Sequence, residues 1–513
     1  MKQLKSIFLY TLLMINSVFL IACGGKEGGT KDGKKDEVSG EYYDWRKTGK
    51  PERPYMYDYN KLVMMKIDMA QLKHDSDEAT NVSATFDDAL EMIKWADKIT
   101  RGVQKIVYLV GWQYNGHDTG YPSLDKFNEA LLRPGDKSVR DGYLWLVKEA
   151  KKYNTVVSVH AMLNDAWGPK NINPNNPDIY NESEKDHLKR LSPLWDTYVK
   201  NDLLCRNADG SLLLGWVGDG IVCFKKEWEK GYLQKRIDHV TEFLNLTESK
   251  TIHIDAFFPY ESPYHKVTKE DNNRIMRKIF RYWRNKGVDV TAELYHGKTP
   301  GNYLRTDPFI GLQPAAWWND LTAQERAEIP SSLAAGGRSS IHVSNKGAED
   351  VEFLFGSNMH GENRFPGRGW DVRNTPDYKG FIEDFGLLTI PYLWLNTHMV
   401  VKYDATNKRV EYSGGVVADY KTKTYKENGR LVREGDDLFL PLVWKKKELA
   451  AFSKNGYTNK TWTMPEGWKK VKKVLVAPIT EKGLGTDREV AVTNGQITLS
   501  VGAGQLLSIR PAK

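Results

Sequence analysis

The stretch Thr251-Ile-His-Ile-Asp-Ala-Phe257, together with Val288-Asp-Val-Thr-Ala-Glu-Leu294, decides the fold. Each run is rich in β-branched residues and carries a carboxylate near its end, as a buried strand does where it meets a polar loop. In residues 269–287, between them, apolar side chains recur at helical spacing and Gly287 is placed to end a helix. We therefore predict a strand-helix-strand unit whose two strands run parallel.

The two carboxylates of this unit, Asp255 and Glu293, are predicted to lie at the carboxyl ends of strands in one sheet. That is the end where α/β barrels place their chemistry. A single strand-end carboxylate is equally well explained as a helix cap or as the partner of an arginine. Two of them among aromatic residues favour an active site.

Composition limits the classes of function. The 513 residues suit a barrel with smaller accessory segments, and 40% of them are hydrophobic. The net charge of +8 is spread over 74 basic and 66 acidic residues without an arginine-rich block, so no nucleic-acid partner is expected. The 16 Trp and 26 Tyr residues supply either core packing or the flat faces on which sugar rings stack.

The N-terminus predicts an exported lipoprotein. A basic start and an apolar run over residues 7–20 lead into Ala22-Cys23-Gly24, so residues 1–22 are interpreted as a signal peptide and Cys23 as the lipidated residue. Residues 23–40 are nearly free of apolar side chains and predict a flexible tether. The expected location is a bacterial membrane, periplasmic or at the cell surface, with the lipid as anchor. Cys205 and Cys223 would then be a disulfide or two free buried thiols, and both alternatives remain open.

We predict a (β/α)8 TIM-type barrel with a C-terminal β-sandwich. Residues 41–94 are interpreted as a lead-in segment, residues 95–400 as the barrel and residues 401–513 as the sandwich. The predicted barrel strands are 105–112, 155–163, 251–257, 288–294, 309–313, 339–343, 351–355 and 390–395; the predicted helices are 86–96, 139–153, 228–244 and 269–287.

Other candidate residues are less specific. His117 and Asp118 follow the strand at 105–112 on a glycine-rich loop, where both residue types are also common in turns. His160 sits within a buried strand pattern, where a satisfied core histidine is the commoner outcome. The 11 histidines form no ligand cluster along the sequence, so neither a metal nor another cofactor is predicted.

The order and spacing of several loops resemble the catalytic region of the endo-α-N-acetylgalactosaminidases, glycoside hydrolase family 101, over roughly residues 85–400. The segments are Gly116-His117-Asp118-Thr-Gly120, Ala150-Lys-Lys-Tyr153 with Val159-His160, Asn207-Ala-Asp-Gly210 with Gly215-Trp216, Ile254-Asp255, Ala292-Glu293-Leu-Tyr-His-Gly297 and, more weakly, Gly361–Trp370 before Asp377-Tyr378-Lys-Gly380.

The resemblance implies that Asp255 is the nucleophile and Glu293 the acid/base of a retaining glycosidase. It further implies that Asp118 and His160 hydrogen-bond the sugar beside the scissile bond and that Trp216 forms part of an aromatic wall. The matching segments also make His117 and Trp370 candidates for substrate binding. The implied reaction releases α-linked N-acetylgalactosamine, as the core-1 disaccharide, from Ser or Thr of mucin-type glycoproteins by double displacement.

Two departures from the family pattern leave other readings open. Ala256-Phe-Phe-Pro-Tyr260 stands where the family shows a Trp-containing loop, and Val217-Gly218 stands where a second Trp is expected. A related hydrolase for another α-linked sugar and a non-catalytic glycan-binding lipoprotein are the alternatives. Retention of both carboxylates speaks against the second, because binding alone does not require the pair.

Overall fold

The computed structural model describes residues 38–170, 182–215, 218–293, 309–318, 321–333, 335–337, 349–360 and 376–512. The α/β part of the chain covers residues 63–395, and the β-rich part, which contains a large antiparallel sheet, covers residues 400–511. The predicted signal peptide, most of the tether and Cys23 lie outside the described residues. No helix within those residues is long and apolar enough to cross a membrane.

The strands and helices are numbered along the chain. The strands of the α/β part are β1 (Val63–Asp68), β2 (Ala70–Leu72), β3 (Thr80–Val82), β4 (Lys105–Val110), β5 (Thr155–Met162), β6 (Asp165–Ala166), β7 (Gly220–Ile221), β8 (Thr251–Asp255), β9 (Asp289–Ala292), β10 (Ala315–Trp317), β11 (Ala335–Gly337) and β12 (Met359–His360). The helices are α1 (Phe86–Ile99), α2 (Val139–Ala150), α3 (Glu184–Arg190), α4 (Trp195–Lys200), α5 (Phe224–Glu229), α6 (Tyr232–Phe243), α7 (Leu246–Ser249), α8 (Lys269–Asn285), α9 (Ala323–Glu328), α10 (Glu349–Phe355), α11 (Tyr378–Asp384) and α12 (Ile390–Leu395).

A parallel sheet positions the site. Within the described residues it has six strands in the order β12-β1-β4-β5-β8-β9, and every neighbouring pair is parallel. All residues of β1, β4, β8 and β9 are buried, as expected for strands covered on both faces. Helices α1, α2 and α8 each connect two neighbouring strands of this sheet. The strand-helix-strand unit predicted from residues 251–294 is confirmed.

Two further parallel strands adjoin the sheet. β10 pairs with β11, the backbone N–H of Trp317 at the end of β10 donates to the carbonyl of Glu293 at 2.8 Å, and that of Asn358 donates to the carbonyl of Gly336 at 3.2 Å. These bonds link β9 to β10 and β11 to the start of β12.

Helices begin where the sequence offers capping residues. Thr85 before α1 and Thr268 before α8 each accept a hydrogen bond from the third helical N–H, and the aspartate at that position accepts one from the backbone N–H of the threonine. Such a capping box satisfies two backbone donors that a helix start would leave unpaired. Helices α1 and α8 therefore start within a residue of the predicted positions.

Several predicted strands are wrong. Residues 351–355 lie in α10, and residues 390–395 form α12. The predictions failed because a short apolar run has the same pattern in a buried helix as in a buried strand. Residues 309–313 form no strand; the strand follows them as β10. The predicted helix 228–244 is divided by Gly231, whose φ of +74° ends α5 before α6 begins. The predicted strand 339–343 lies outside the described residues.

The lead-in segment contributes directly to the sheet. β1 falls within residues 41–94 and pairs with both β4 and β12. The strand count that began at Lys105 therefore omitted β1. The omission arose because the six residues include Lys66 and Asp68, two charged side chains that are nonetheless buried.

Residues 400–511 form the β-rich part. Its strands are β13 (Val400–Asp404), β14 (Arg409–Tyr412), β15 (Val416–Asp419), β16 (Thr424–Glu427), β17 (Arg430–Glu434), β18 (Asp437–Pro441), β19 (Leu449–Ser453), β20 (Tyr457–Thr463), β21 (Lys473–Thr480), β22 (Gly483–Leu484), β23 (Arg488–Ala491), β24 (Gln496–Val501) and β25 (Gln505–Pro511). β20 and β24 pair with each other and contribute Trp462, Ile497 and Leu499 to a core shared with β18, β19, β21 and β25 of the large antiparallel sheet. The alternation of buried and exposed residues along β24 follows from this one-sided packing.

The two remaining cysteines are free and buried in this structure. Cys205 and Cys223 flank the antiparallel bridge between Leu204 and Val222 and share a small core with Ile221 and Val267. Their thiols are in hydrogen-bond contact, and burial raises the pKa of Cys205. Of the two alternatives that the sequence left open, the structure has the free thiols.

Candidate active site

Strand register brings the two predicted catalytic carboxylates together. β8 and β9 pair with Ile254 opposite Ala292, so Asp255 and Glu293 take the next positions on neighbouring strands. Parallel strands lie about 4.8 Å apart. The two side chains are close enough to share a hydrogen bond, which lowers the pKa of Asp255. The carboxyl pair predicted from two separate strand ends thus forms one site.

Two histidines contact the Asp255 carboxylate. Nε2 of His160 lies 3.0 Å from Oδ2 of Asp255, and Nε2 of His117 lies 3.5 Å from the same oxygen. Burial raises the pKa of Asp255, but the electrostatic interaction and hydrogen bond with His160, together with the hydrogen bonds with His117 and Glu293, outweigh burial, so the pKa of Asp255 lies well below its ordinary value. Asp255 is therefore ionised at neutral pH.

A third histidine, His253, stacks on His160. His160 and His253 are opposite each other in the β5–β8 ladder, and their rings stack at 5.5 Å. Nδ1 of His253 is 2.8 Å from the hydroxyl of Thr291, which fixes the ring. Burial, followed by the charge of Lys66, lowers the pKa of both imidazoles, so both are neutral at pH 7.

Glu293 has a positively charged partner that the sequence did not indicate. Nζ of Lys66, in the middle of β1, lies 2.8 Å from Oε1 of Glu293 and 4.4 Å from the ring centre of Trp317. Lys66 is only 2% exposed. An ammonium beside a carboxylate favours its ionised form.

The loop after β4 carries His117 and Asp118 to the same place. Its path requires glycine at two points: Gly111 (φ +73°) and Gly116 (φ +116°) both lie so close to the carbonyl of Ala70 that a Cβ would collide with it. Oδ1 of Asp118 is 3.4 Å from Nε2 of His117, and its backbone carbonyl accepts a hydrogen bond from Arg190 at 2.9 Å. Asp118 lies in a turn, with a φ of +55°, and its partly exposed carboxylate is on the side of His117.

A second acidic pair lies beside the first. Asp165 of β6 and Asp219, before β7, share a side-chain hydrogen bond. Burial raises the pKa of Asp165 well above its ordinary value, and the charges of Asp219, Asp118 and Asp255 add to the effect. A carboxyl group that holds its proton can donate a hydrogen bond as well as accept one. The raised pKa favours Asp165 as the carboxyl group of this pair that keeps its proton.

The backbone is strained directly after Asp255. Ala256 has a φ of +37°, a value that L residues rarely adopt outside functional or tightly constrained positions. The chain leaves the sheet at this turn, directly after Asp255.

The histidines and carboxylates could in principle bind a metal. Ligand atoms of His117, His160 and Asp255 lie within 4.8 Å of one another, as do those of His160, His253 and Glu293. The sequence showed no such cluster, because strand register rather than sequence spacing assembles it. The Lys66 ammonium already pairs with Glu293 and repels a second cation by Coulomb interaction. The second set therefore fits a metal poorly, and the absence of a cofactor stays a prediction.

Of the predicted site residues, the structure brings together Asp255, Glu293, His160, His117 and Asp118. Trp216, Trp370 and Cys23 lie outside the described residues. Sequence reasoning missed Lys66, His253 and Asp165 as site residues. For Lys66 the available signal was a lysine inside an apolar strand. For His253 it was a histidine two positions before Asp255, on the same face of β8.

No protein-family model matches the chain. Among solved structures, the chain is similar to α-N-acetylgalactosaminidase NagBb from Bifidobacterium bifidum, in a quadruple mutant, with a TM-score of 0.49, 11% identity and coverage of 72% of this chain. The chain spans 58% of the length of that protein. It is also similar to an α-amylase from Geobacillus thermoleovorans in complex with acarbose (TM-score 0.45, 10% identity, 90% of this chain and 100% of that one) and to the GH36 α-galactosidase AgaA from Geobacillus stearothermophilus (TM-score 0.40, 11% identity, 90% and 57%).

Proposed function

We propose that the protein is a retaining glycoside hydrolase for α-linked N-acetylgalactosamine, releasing the core-1 disaccharide from Ser or Thr of mucin-type glycoproteins. Asp255 is the nucleophile and Glu293 the acid/base. The observation that carries the proposal is the placement of these two carboxyl groups at adjacent positions on neighbouring parallel strands. The choice of sugar rests on the resemblance of the loops to the endo-α-N-acetylgalactosaminidases.

The side-chain contact between the two carboxyl groups supports the retaining class over the inverting class. Retaining glycosidases hold the two groups about 5–5.5 Å apart, whereas inverting enzymes leave about 6.5–9.5 Å for a water molecule. Asp255 and Glu293 are in side-chain contact. That arrangement favours direct attack by one carboxylate over attack by an interposed water.

In the first step Asp255 attacks the anomeric carbon while the glycosidic C–O bond breaks. Glu293 gives its proton to the departing oxygen, so the leaving group departs as an alcohol. Both histidine contacts are made to Oδ2 of Asp255, which favours Oδ1 as the attacking oxygen. The low pKa of Asp255 supports this role, because the nucleophile must be ionised.

In the second step water attacks the anomeric carbon of the glycosyl-Asp255 ester. Glu293, now a carboxylate, takes a proton from that water, and the ester bond breaks to regenerate the Asp255 carboxylate. Two inversions give a product with the original α configuration. The cycle returns the proton to Glu293 and needs no cofactor.

The fold proposal that accompanies this function is a closed (β/α)8 barrel. Support comes from the eight parallel strands β1, β4, β5, β8, β9, β10, β11 and β12. The Trp317–Glu293 and Asn358–Gly336 backbone bonds join the two-stranded β10–β11 pair to the six-stranded sheet at both of its edges. A closed barrel places its site at the carboxyl ends of the strands, where Asp255 and Glu293 lie.

A different α-linked sugar is the second candidate substrate. The segment after Asp255 is Ala256-Phe-Phe-Pro-Tyr260 rather than the Trp-containing loop of the family, and the added Asp165–Asp219 pair changes the polarity of the wall. These features affect which sugar is bound and leave the two proposed catalytic carboxyl groups in place.

The test is hydrolysis of the aryl α-glycoside of galactosyl-β-1,3-N-acetylgalactosamine beside aryl α-N-acetylgalactosaminide. Release of the intact disaccharide supports the endo-acting proposal, and cleavage of the monosaccharide alone makes the protein an exo-acting enzyme. Cleavage of another aryl α-glycoside in a wider panel supports the second candidate. Binding without cleavage across the panel refutes the proposal in favour of a glycan-binding protein.

Variants separate the two roles. Asp255→Asn should abolish turnover. In Asp255→Ala, which leaves room for azide, added azide should restore release of the phenol and capture the sugar as the β-glycosyl azide. Glu293→Gln should keep activity on the best leaving groups, with azide giving the α-glycosyl azide. Asp196→Asn, an exposed position in α4, is the matched control and should behave as the unaltered protein. Unchanged turnover of Asp255→Asn would eliminate the proposed nucleophile.

Export and lipidation also stay a proposal, supported by the sequence around Cys23. Mass spectrometry of the N-terminal peptide from membranes should find a lipid on Cys23, and Cys23→Ser should release the protein from the membrane. An unmodified, uncleaved N-terminus would contradict it.

A further inference from the structure

The lysine in the middle of β1 occupies a place where a charge is costly. All six residues of β1 are buried, and Lys66 is 2% exposed. Removing an ammonium from water costs several kcal/mol after relaxation, so a buried lysine persists only with compensating partners. The strand that carries it lies within the parallel sheet, between β4 and β12.

Two contacts hold the Lys66 ammonium from different sides. Oε1 of Glu293 lies 2.8 Å from Nζ, and the indole ring of Trp317 lies 4.4 Å away, within the range of cation–π attraction. Trp317 also donates its backbone N–H to the carbonyl of Glu293. Glu293 is therefore fixed at its carboxylate by Lys66 and at its backbone by the residue that packs on Lys66.

The imidazoles beside Glu293 do not share this role. The pKa of His160 and that of His253 are lowered, first by burial and second by the charge of Lys66, so both rings are neutral. A neutral imidazole supplies no net charge to Glu293. Among the described residues that contact Glu293, Lys66 carries the positive charge.

We propose that Lys66 is a positioning residue that holds the Glu293 side chain toward Asp255 and stabilises the carboxylate formed when Glu293 gives its proton to the leaving group. The inference deepens the proposed function and rests on it for its kinetic consequences. It assigns to the barrel interior a charge that favours the bond-breaking half of the cycle.

The charge acts in opposite directions on the two steps. During bond breaking Glu293 changes from acid to carboxylate, and a nearby ammonium lowers the free energy of that change. During hydrolysis of the glycosyl ester Glu293 must take a proton from water, which the same ammonium disfavours. Lys66 should thus matter most for substrates whose leaving groups need a proton.

The experiment measures kcat/KM for aryl and alkyl α-glycosides of the cleaved sugar, from 2,4-dinitrophenyl to alkyl leaving groups. Lys66→Met should lower kcat/KM by about 100-fold for alkyl leaving groups and by at most about 3-fold for dinitrophenyl, which departs without a proton. Lys66→Arg, which keeps the charge, should recover much of the loss. A purely structural role would lower all substrates equally and would overturn the proposal.

The pH profile gives a second readout. Without the ammonium the protonated form of Glu293 persists to higher pH, so the alkaline limb of kcat/KM should move upward in Lys66→Met and return in Lys66→Arg. Lys66→Gln, which keeps a hydrogen-bond donor without charge, gives the same test if Lys66→Met fails to fold. An alkaline limb that does not move in the neutral variants overturns the proposal.

A direct titration distinguishes failure of this inference from failure of the proposed function. Carbon-13 NMR of carboxyl-labelled glutamate, with Glu293 assigned by comparison with Glu293→Gln, follows the Glu293 side chain without substrate. Its titration should move to higher pH in Lys66→Met even if no glycoside is cleaved. An unchanged titration refutes the role of Lys66, whereas absence of turnover with a changed titration refutes only the glycosidase.

Discussion

Nε2 of His160 lies 3.0 Å from Oδ2 of Asp255, although 95 residues separate them in the chain. The contact follows from parallel pairing: His160 is opposite His253, and Asp255 lies two residues further along β8 on the same face. Burial alone would favour a protonated Asp255. The histidine contacts and Glu293 reverse this and keep the pKa of Asp255 well below its ordinary value.

Replacing His160 by Leu should therefore move the acid limb of the activity profile to higher pH. The pKa of Asp255 rises when its hydrogen-bonding partner is lost, and the nucleophile becomes protonated sooner as the pH falls. A hydrogen bond to a charged group contributes about 1.5–3 kcal/mol, so kcat/KM should fall about 10- to 150-fold. The pH dependence of kcat/KM on an aryl glycoside measures both. His239→Leu on the exposed face of α6 is the control, and an unmoved acid limb would contradict the assignment.

The sequence predicted the parts of the fold that depend on local signals. Helices α1, α2 and α8 have strong periodicity, and two of them carry a capping box, so their existence and starts were predictable. Residues 390–395 have every side chain buried, so the pattern there has neither helical nor strand period. The tertiary environment decides such segments.

The candidate site divides in the same way. Asp255 and Glu293 could be predicted because strand-end carboxylates are visible in the sequence. The role of Lys66 could not, because its partner Glu293 is 227 residues away, and a lysine inside an apolar strand does not indicate which residue it pairs with. The stacking of His160 on His253 likewise requires the register of β5 and β8.

Asp165→Asn should become more stabilising as the pH rises. Burial and three neighbouring carboxylates raise the pKa of Asp165, so the folded protein binds that proton more tightly than the unfolded chain. The unaltered protein therefore loses stability as the pH rises from about 4 through the folded-state pKa, by at most about 1.4 kcal/mol per pH unit. The asparagine variant lacks this loss.

Urea unfolding at pH 4.5, 5.5 and 7 compares the free energy of unfolding of Asp165→Asn with that of the unaltered protein. With increasing pH, the free energy of unfolding of Asp165→Asn should rise relative to that of the unaltered protein. The difference between Asp196→Asn and the unaltered protein should stay constant. A pH-independent difference for Asp165→Asn would mean that Asp165 is ionised in the folded state.

The buried histidines predict the opposite dependence. The pKa of His253 is well below its ordinary value, first because of burial and then because of Lys66 and His160. Below about pH 6.5 the unfolded chain takes up a proton that the folded protein refuses, so stability falls as the pH decreases. His253→Gln should flatten the slope between pH 5 and 6.5 by up to about 1.4 kcal/mol per pH unit. Urea titrations at pH 5, 5.75 and 6.5 measure it, and an equal effect of His239→Gln would refute the interpretation.

The Arg236–Glu227 ion pair should stabilise the wall behind His160. Nη2 of Arg236 lies 2.7 Å from Oε2 of Glu227, a fully buried residue whose Oε1 accepts a hydrogen bond from Tyr198 at 2.5 Å. Arg236 donates to the carbonyl of Leu163, just beyond β5. Arg236→Met leaves the Glu227 charge buried without its cation and should cost about 3–5 kcal/mol of unfolding free energy.

A double-mutant cycle identifies the cause of that cost. Glu227→Leu with Arg236→Met removes both charges and should be less destabilising than Arg236→Met alone, because the penalty comes from the unpaired carboxylate. Arg274→Met, which breaks the exposed pair with Glu41, should cost at most about 1 kcal/mol. Chemical denaturation of the four proteins and the Arg274 control measures these values. Additive effects at Glu227 and Arg236 would show that the pair contributes only packing, and the end of β5 would then owe its position to the surrounding apolar core.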